Sequence, residues 1–129
     1  MKINKLTAVR IVDAIEPCLP FWCDVLGYTK KVEVPHGDQV GFVILEGHGG
    51  ELMLQTRASL ADDLPPVAAR APGVVLFAEV PSLAAAQRAI DGGKGFEVLI
   101  RERTTPYGTR ETVVVDPQGT VVIFAQHAG

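Results

Sequence analysis

Residues 104–126 read TTPYGTRETVVVDPQGTVVIFAQ. Residues 112–115 and 120–125 are β-branched runs, and such side chains fit a pleated, half-buried strand surface. Between them lies Asp116-Pro117-Gln118-Gly119. Proline presets φ for a turn and glycine closes it at little steric cost. The stretch therefore predicts a β-hairpin. If Val115 opposes Thr120, then Val114 opposes Val121, Thr112 opposes Ile123 and Arg110 opposes Ala125. One face then carries Arg110, Thr112, Val114, Val121, Ile123 and Ala125; the other carries Glu111, Val113, Val115, Val122 and Phe124. A three-residue loop with a bulge would flip this register. Upstream, Pro106 to Glu111 forms a second bend, with Tyr107 and two opposite charges at the hairpin mouth.

Working outward, residues 5–12 alternate as a strand, with Leu6, Ala8, Arg10 and Val12 on one face and Thr7, Val9 and Ile11 on the other. Asp13 is placed to cap a helix over residues 16–28, where Leu19, Trp22, Val25 and Leu26 form an apolar stripe and Gly27 a stop. Trp22 and Phe21 read as helix packing. Strands follow at 29–34, 40–45 and 51–56. The pairing rule puts Phe42, Ile44, Glu46, Glu51, Met53 and Gln55 on one face of that hairpin, and Val43, Leu45, Leu52 and Leu54 on the other. Residues 57–72 are polar and alanine-rich, and contain Pro65-Pro66; they read as a linker with a short helix or turn. A strand at 74–80, a helix at 83–90 capped by Ser82 and a strand at 96–101 lead to the opening hairpin. The order is β-α-β-β-β, linker, β-α-β-β-β, an internal repeat of elements. The expected domain covers residues 1–129, with one module over about 4–57, a linker over about 58–72 and a second module over about 73–127.

The 129 residues are 47% apolar and 21% charged, a globular composition sized for one domain. No apolar run suffices to span a bilayer, and MKINKLTAVR lacks an apolar signal segment, so a cytoplasmic protein with no membrane partner is expected. The net charge of −3 comes with no basic cluster, which argues against nucleic acid as a partner. Cys18 and Cys23, if helical, sit about 140° apart around the axis and are read as buried reduced thiols.

Two stretches resemble a known family. VRIVDAIEPCLPFWCDVLGY is similar to the strand–Asp–helix opening of the vicinal oxygen chelate superfamily, which includes glyoxalase I, extradiol dioxygenases and fosfomycin- and bleomycin-resistance proteins; YGTRETVVVDPQGTVVIF is similar to its ending. The YG-x-RE element resembles the bleomycin-resistance-like branch. The resemblance implies an α+β fold of paired βαβββ modules forming a cupped, mostly antiparallel sheet with helices on its outer face, and commonly a homodimer. It also implies four metal-ligand positions in the metal-dependent branches. Here these fall at Leu6, Glu51, Val75 and Ile123, so only Glu51 carries a ligating side chain. His36, His48 and His127 fall on two turns and the C-terminal tail, none at ligand spacing. No metal, cofactor or catalytic residue is assigned, and the chain reads as a binding protein more than an enzyme.

The ligand expected is an unidentified small molecule in the cup. The mixed faces assign Arg10, Phe42, Glu51, Gln55, Phe77, Tyr107 and Arg110 to its binding, with Met53 and Glu79 on the same faces. Arg10, Glu51 and Arg110 are expected to point into one cleft. Arg103, Tyr107, Arg110 and Glu111 are alternatively a set that holds the loop before the last hairpin, with Glu111 on the helix-side face by parity. Two other readings stand beside small-molecule binding: a metal-dependent lyase or dioxygenase using Glu51 with further ligands, and a dimeric structural or regulatory module whose cup is filled by its own side chains.

Overall fold

Each segment with strand-like alternation forms a strand. The computed structural model describes residues 1–128; Gly129, the last residue of the expected domain, lies outside the described residues. The strands are β1 (Lys5–Val12), β2 (Thr29–His36), β3 (Gln39–Gly47), β4 (Gly50–Thr56), β5 (Val74–Glu79), β6 (Glu97–Thr104), β7 (Thr109–Val115) and β8 (Val121–His127). The helices are α1 (Arg57–Asp63), α2 (Pro65–Ala68) and α3 (Leu83–Asp91). The fold is α+β. It divides into two compact units, Ala8–Val74 and a second that joins Met1–Thr7 to the chain from Val75 onward.

In the Ala8–Val74 unit the strand order is β2-β3-β4-β1. β3 and β4 pair antiparallel as the sequence suggests: Phe42 opposes Gln55, Ile44 opposes Met53 and Glu46 opposes Glu51. Their other face, Val43, Leu45 and Leu54, forms a core with Ile15, against which Leu19, Trp22 and Tyr28 pack. The predicted helix over 16–28 is different in kind. A three-ten turn (Glu16–Cys18) leads into a π-helix (Pro20–Val25). Pro17 and Pro20 have no N–H to continue an α-helical ladder, and the chain takes other spacings: the Cys18 amide donates to Ile15 O (2.8 Å) and the Leu26 amide to Phe21 O (3.0 Å). Cys18 and Cys23 therefore do not follow α-helical angular spacing; both thiols are reduced and half-buried on the core. Trp22 packs edge-on against Tyr28, whereas Phe21 remains largely exposed. Asp13 caps no helix; it accepts from Arg57 Nε (2.9 Å).

In the other unit the order is β5-β8-β7-β6. Ser82 caps α3 by accepting from the Ala85 amide (3.1 Å). Leu83, Ala86 and Ile90 are the inward residues, as their spacing predicts, and they pack on Ala78, Val114 and Phe124. The opening hairpin forms, but one residue out of the expected register. Val115 opposes Val121, Val113 opposes Ile123 and Glu111 opposes Ala125. The cause is Asp116, whose amide donates to Thr120 O (2.9 Å) while its carboxylate accepts from the amides of Gln118 (2.9 Å) and Thr120 (2.8 Å). The Thr120 amide, then that of Gln118, holds this carboxyl below its usual range. Asp116 and Thr120 thus close a three-residue loop with Gly119 at φ 89°, the bulged form. That single residue exchanges the partners across the hairpin and sends the two arginine–glutamate neighbours to faces opposite to those expected.

Candidate functional site

The face of the Ala8–Val74 unit turned away from its helical core gathers Phe42, Ile44, Glu46, Glu51, Met53 and Gln55. β1 lies parallel to β4, with Val9 beside Met53 and Ile11 beside Gln55, so those two side chains extend the same face. Phe42 and Gln55 are half-buried. The Glu51 side chain is only 10% exposed, 3.6 Å from Lys31 Nζ. Lys31 also lies 3.3 Å from Glu46. Two carboxylates directly opposed across a ladder repel each other; the ammonium between them relieves this, and Glu46 first, then Glu51, raises the Lys31 pKa. Gln55 Nε2 donates to Ser59 Oγ (3.2 Å). Three of the expected binding residues, Phe42, Glu51 and Gln55, therefore share one surface of apolar floor and few polar groups.

Arg10 does not join them. It lies beside Leu54 in the β1–β4 ladder, on the face of the helical core. There its guanidinium donates to the carbonyls of Gly73 (2.6 Å) and Ile11 (2.8 Å), which leaves the charged end at the surface while two backbone acceptors are satisfied.

In the other unit the face away from α3 carries Val75, Phe77 and Glu79 of β5, Val121, Ile123 and Ala125 of β8, and Glu111, Val113 and Val115 of β7. Arg110 is on the α3 side. It pairs with Glu102 (3.1 Å), whose carboxylate also accepts from Gln87 of α3 (3.0 Å). Gln87, then Arg110, holds the Glu102 carboxyl below its usual range. Arg110 faces the helix and so does not join the cleft expected of Arg10, Glu51 and Arg110. The register shift that removes Arg110 brings Glu111 to the face away from α3. Glu111 is fully buried and accepts from Arg103 Nε (2.9 Å) and Thr109 Oγ1 (2.8 Å). Arg103 Nη2 donates to Tyr107 OH (2.8 Å). Thr105 and Thr109 close the bend through their hydroxyls, 2.7 Å apart. Tyr107, Arg103 and Glu111 thus form the loop-holding set that the sequence offered as an alternative, without Arg110.

The histidines are more engaged than expected. His36 ends β2 and lies 2.5 Å from Asp62. His127 ends β8 and lies 2.8 Å from Glu79. Neither pairing has a sequence signal, since the partners are 26 and 48 residues away.

A divalent ion requires several N, O or S donors converging on it. Of the four positions implied by the family resemblance, Glu51, Val75 and Ile123 lie on faces away from the helices, and Leu6 does not; by alternation Thr7 takes its place on β1. Among the described residues, no three His, Cys, Asp or Glu side chains are grouped to hold a metal. The donor set does not fit one.

A model of the Glyoxalase/Bleomycin resistance protein/Dioxygenase superfamily matches residues 2–124. Comparison with curated proteins finds no match. Among solved structures, a glyoxalase/bleomycin resistance protein/dioxygenase superfamily member from Vibrio splendidus 12B01 superposes with a TM-score of 0.70 at 21% identity, over 95% of this chain and 97% of that one. Methylmalonyl-CoA epimerase from Mycobacterium tuberculosis gives a TM-score of 0.71 at 20% identity, over 98% and 90% of the two chains. Likeness at these identities speaks to the fold alone. With the superfamily model matching residues 2–124, this chain belongs to the glyoxalase/bleomycin resistance protein/dioxygenase superfamily.

Proposed function

We propose that the protein binds a small molecule without a divalent metal, as a cytoplasmic homodimer of the bleomycin-resistance-like kind. The observation that carries this reading is the β3–β4 register, which sets Phe42, Ile44 and Met53 beside Glu51 and Gln55 on one non-helical face. An apolar surface with a few converging polar groups is the usual build of a ligand site. Phe42 supplies the flat contact, Glu51 a nearly buried acceptor and Gln55 an amide that donates and accepts. Phe77 and Tyr107 are the corresponding candidates in the other unit. The metal-dependent alternative requires donors where the chain has Val75 and Ile123.

Ligand-observed NMR against a library of small aromatic and amine-bearing compounds tests the reading. Glu51→Gln is expected to weaken the bound compounds by about tenfold to a hundredfold, the worth of one charge-assisted hydrogen bond at roughly 1.5–3 kcal/mol. Its effect on folding should be small, because the Lys31 partner is half-exposed and such pairs contribute about 0–1 kcal/mol. Compounds that bind equally well to Glu51→Gln and Phe42→Ala would contradict this placement of the site.

A further inference from the structure

The core between α3 and the sheet of its own unit is not filled to its edge. A cavity of about 280 Å³, partly open to solvent, lies between the end of α3 and the β7–β8 hairpin. Ala89, Ile90, Phe96, Val114, Val122 and Phe124 line it, together with Asp116 and Pro117 of the hairpin turn. Met1 also borders it but is 58% exposed. All of these residues belong to one compact unit.

Ile90, Val114 and Phe124 are buried members of the α3 core, and Phe96 and Val122 pack against them. The space is thus a gap in a hydrophobic core, not a hollow in a polar surface. Its origin is local. The last turn of α3 presents Ala89, a small side chain, where a leucine would fill the space. The chain then leaves the helix at Gly92, and Gly93 lets the Phe96 ring come close and form one wall: a Cβ on Gly93 would lie 2.9 Å from that ring.

An unfilled apolar gap forfeits contacts along its lining, and protein cores are ordinarily packed without one. An apolar molecule that enters recovers those contacts. An apolar cavity of about 150 Å³ holds benzene, so this one has room for a ring with a short substituent. The lining is almost wholly apolar. Pro117 has no N–H to donate, the Asp116 amide donates to Thr120 O, and Asp116 Oδ1 accepts from the Gln118 and Thr120 amides. An anion would be stripped of water here beside the Asp116 charge, with no donor to compensate it.

We propose that this cavity is a ligand site for an uncharged apolar molecule of about one-ring size. It is separate from the surface of Phe42, Glu51 and Gln55, which belongs to the other unit, and does not depend on the reading of that surface.

Toluene and benzoate are probes of like shape, one uncharged and one anionic. In NMR titrations of the full chain, toluene is expected to shift the methyl resonances of Ala89, Ile90, Val114 and Val122, and benzoate to bind there at least about tenfold more weakly. Ala89→Leu, or Ala89→Met with its more adaptable side chain, fills the gap and should weaken toluene at least about tenfold in the folded protein. Phe42→Ala should leave the toluene shifts at these methyls unchanged. Absence of toluene shifts at these methyls, toluene affinity unchanged in both folded Ala89 variants, or benzoate bound as tightly as toluene would each overturn the inference. Saturating toluene that splits a dimer into monomers would assign the gap to a second copy of the chain and overturn it likewise.

Discussion

Glu111→Ala should lower the stability of the folded chain by about 3–5 kcal/mol, the range for breaking a buried ion pair by removing one partner. Glu111 is fully buried and Arg103 is 19% exposed in its side chain. With the carboxylate gone, the guanidinium keeps Tyr107 as a partner but loses its counter-charge, and Thr109 Oγ1 loses its acceptor. One substitution thus weakens the bonding of two groups, the Arg103 guanidinium and the Thr109 hydroxyl. The double substitution Arg103→Met with Glu111→Leu removes both charges together and should recover most of the loss, since a well-packed apolar pair can replace a buried ion pair at little cost. Urea unfolding of the three proteins measures this directly. A loss below about 1 kcal/mol for Glu111→Ala would class the pair with ordinary surface ion pairs and remove its role in holding the bend at Thr105–Thr109.

The second large effect separates the two faces of β4. Leu54 is 1% exposed and packs with Ile15, Val43 and Leu45. Leu54→Ala should cost about 2–5 kcal/mol through lost burial and the cavity it leaves. It should leave the affinity of bound compounds within about a factor of two at temperatures where the variant is folded, since Leu54 faces away from Phe42, Glu51 and Gln55. Glu51→Gln should show the converse pattern, with affinity lost and stability kept. Thermal unfolding and NMR titration of both variants would show this crossing. Loss of affinity in folded Leu54→Ala would mean that the helical-core face, not the Glu51 face, carries the ligand.

The legible parts of the fold are those in which one local signal fixes the geometry. The β3–β4 register follows from a short glycine-rich connection between two alternating runs, and Gly47 opposes Gly50 as that connection requires. The faces of α3 follow from the spacing of Leu83, Ala86 and Ile90. The β7–β8 register was less accessible, because the same DPQG residues serve a loop of either length. What decides it is the Asp116 carboxylate reaching Gln118 and Thr120, and the consequence is a change of face for every residue on one strand relative to the other. Alternation gives the residues that share a face with Arg10, but not which face of β1 meets the helical core. The Arg10 guanidinium is satisfied by the Gly73 and Ile11 carbonyls, for which no local sequence signal exists. The segment over 16–28 has a helical apolar stripe, but two prolines decide which hydrogen bonds are available to it.

We propose above that this member of the superfamily binds a small molecule without a divalent ion. Native mass spectrometry of the full chain purified without added metal or chelator reports subunit number, bound metal and co-purified molecules in one spectrum. The predicted spectrum is a dimer whose mass is accounted for by two chains with or without a small organic molecule, and no metal adduct that survives dialysis. The contradicting spectrum shows about one zinc, nickel or iron per subunit, retained through dialysis and lost in Glu51→Ala.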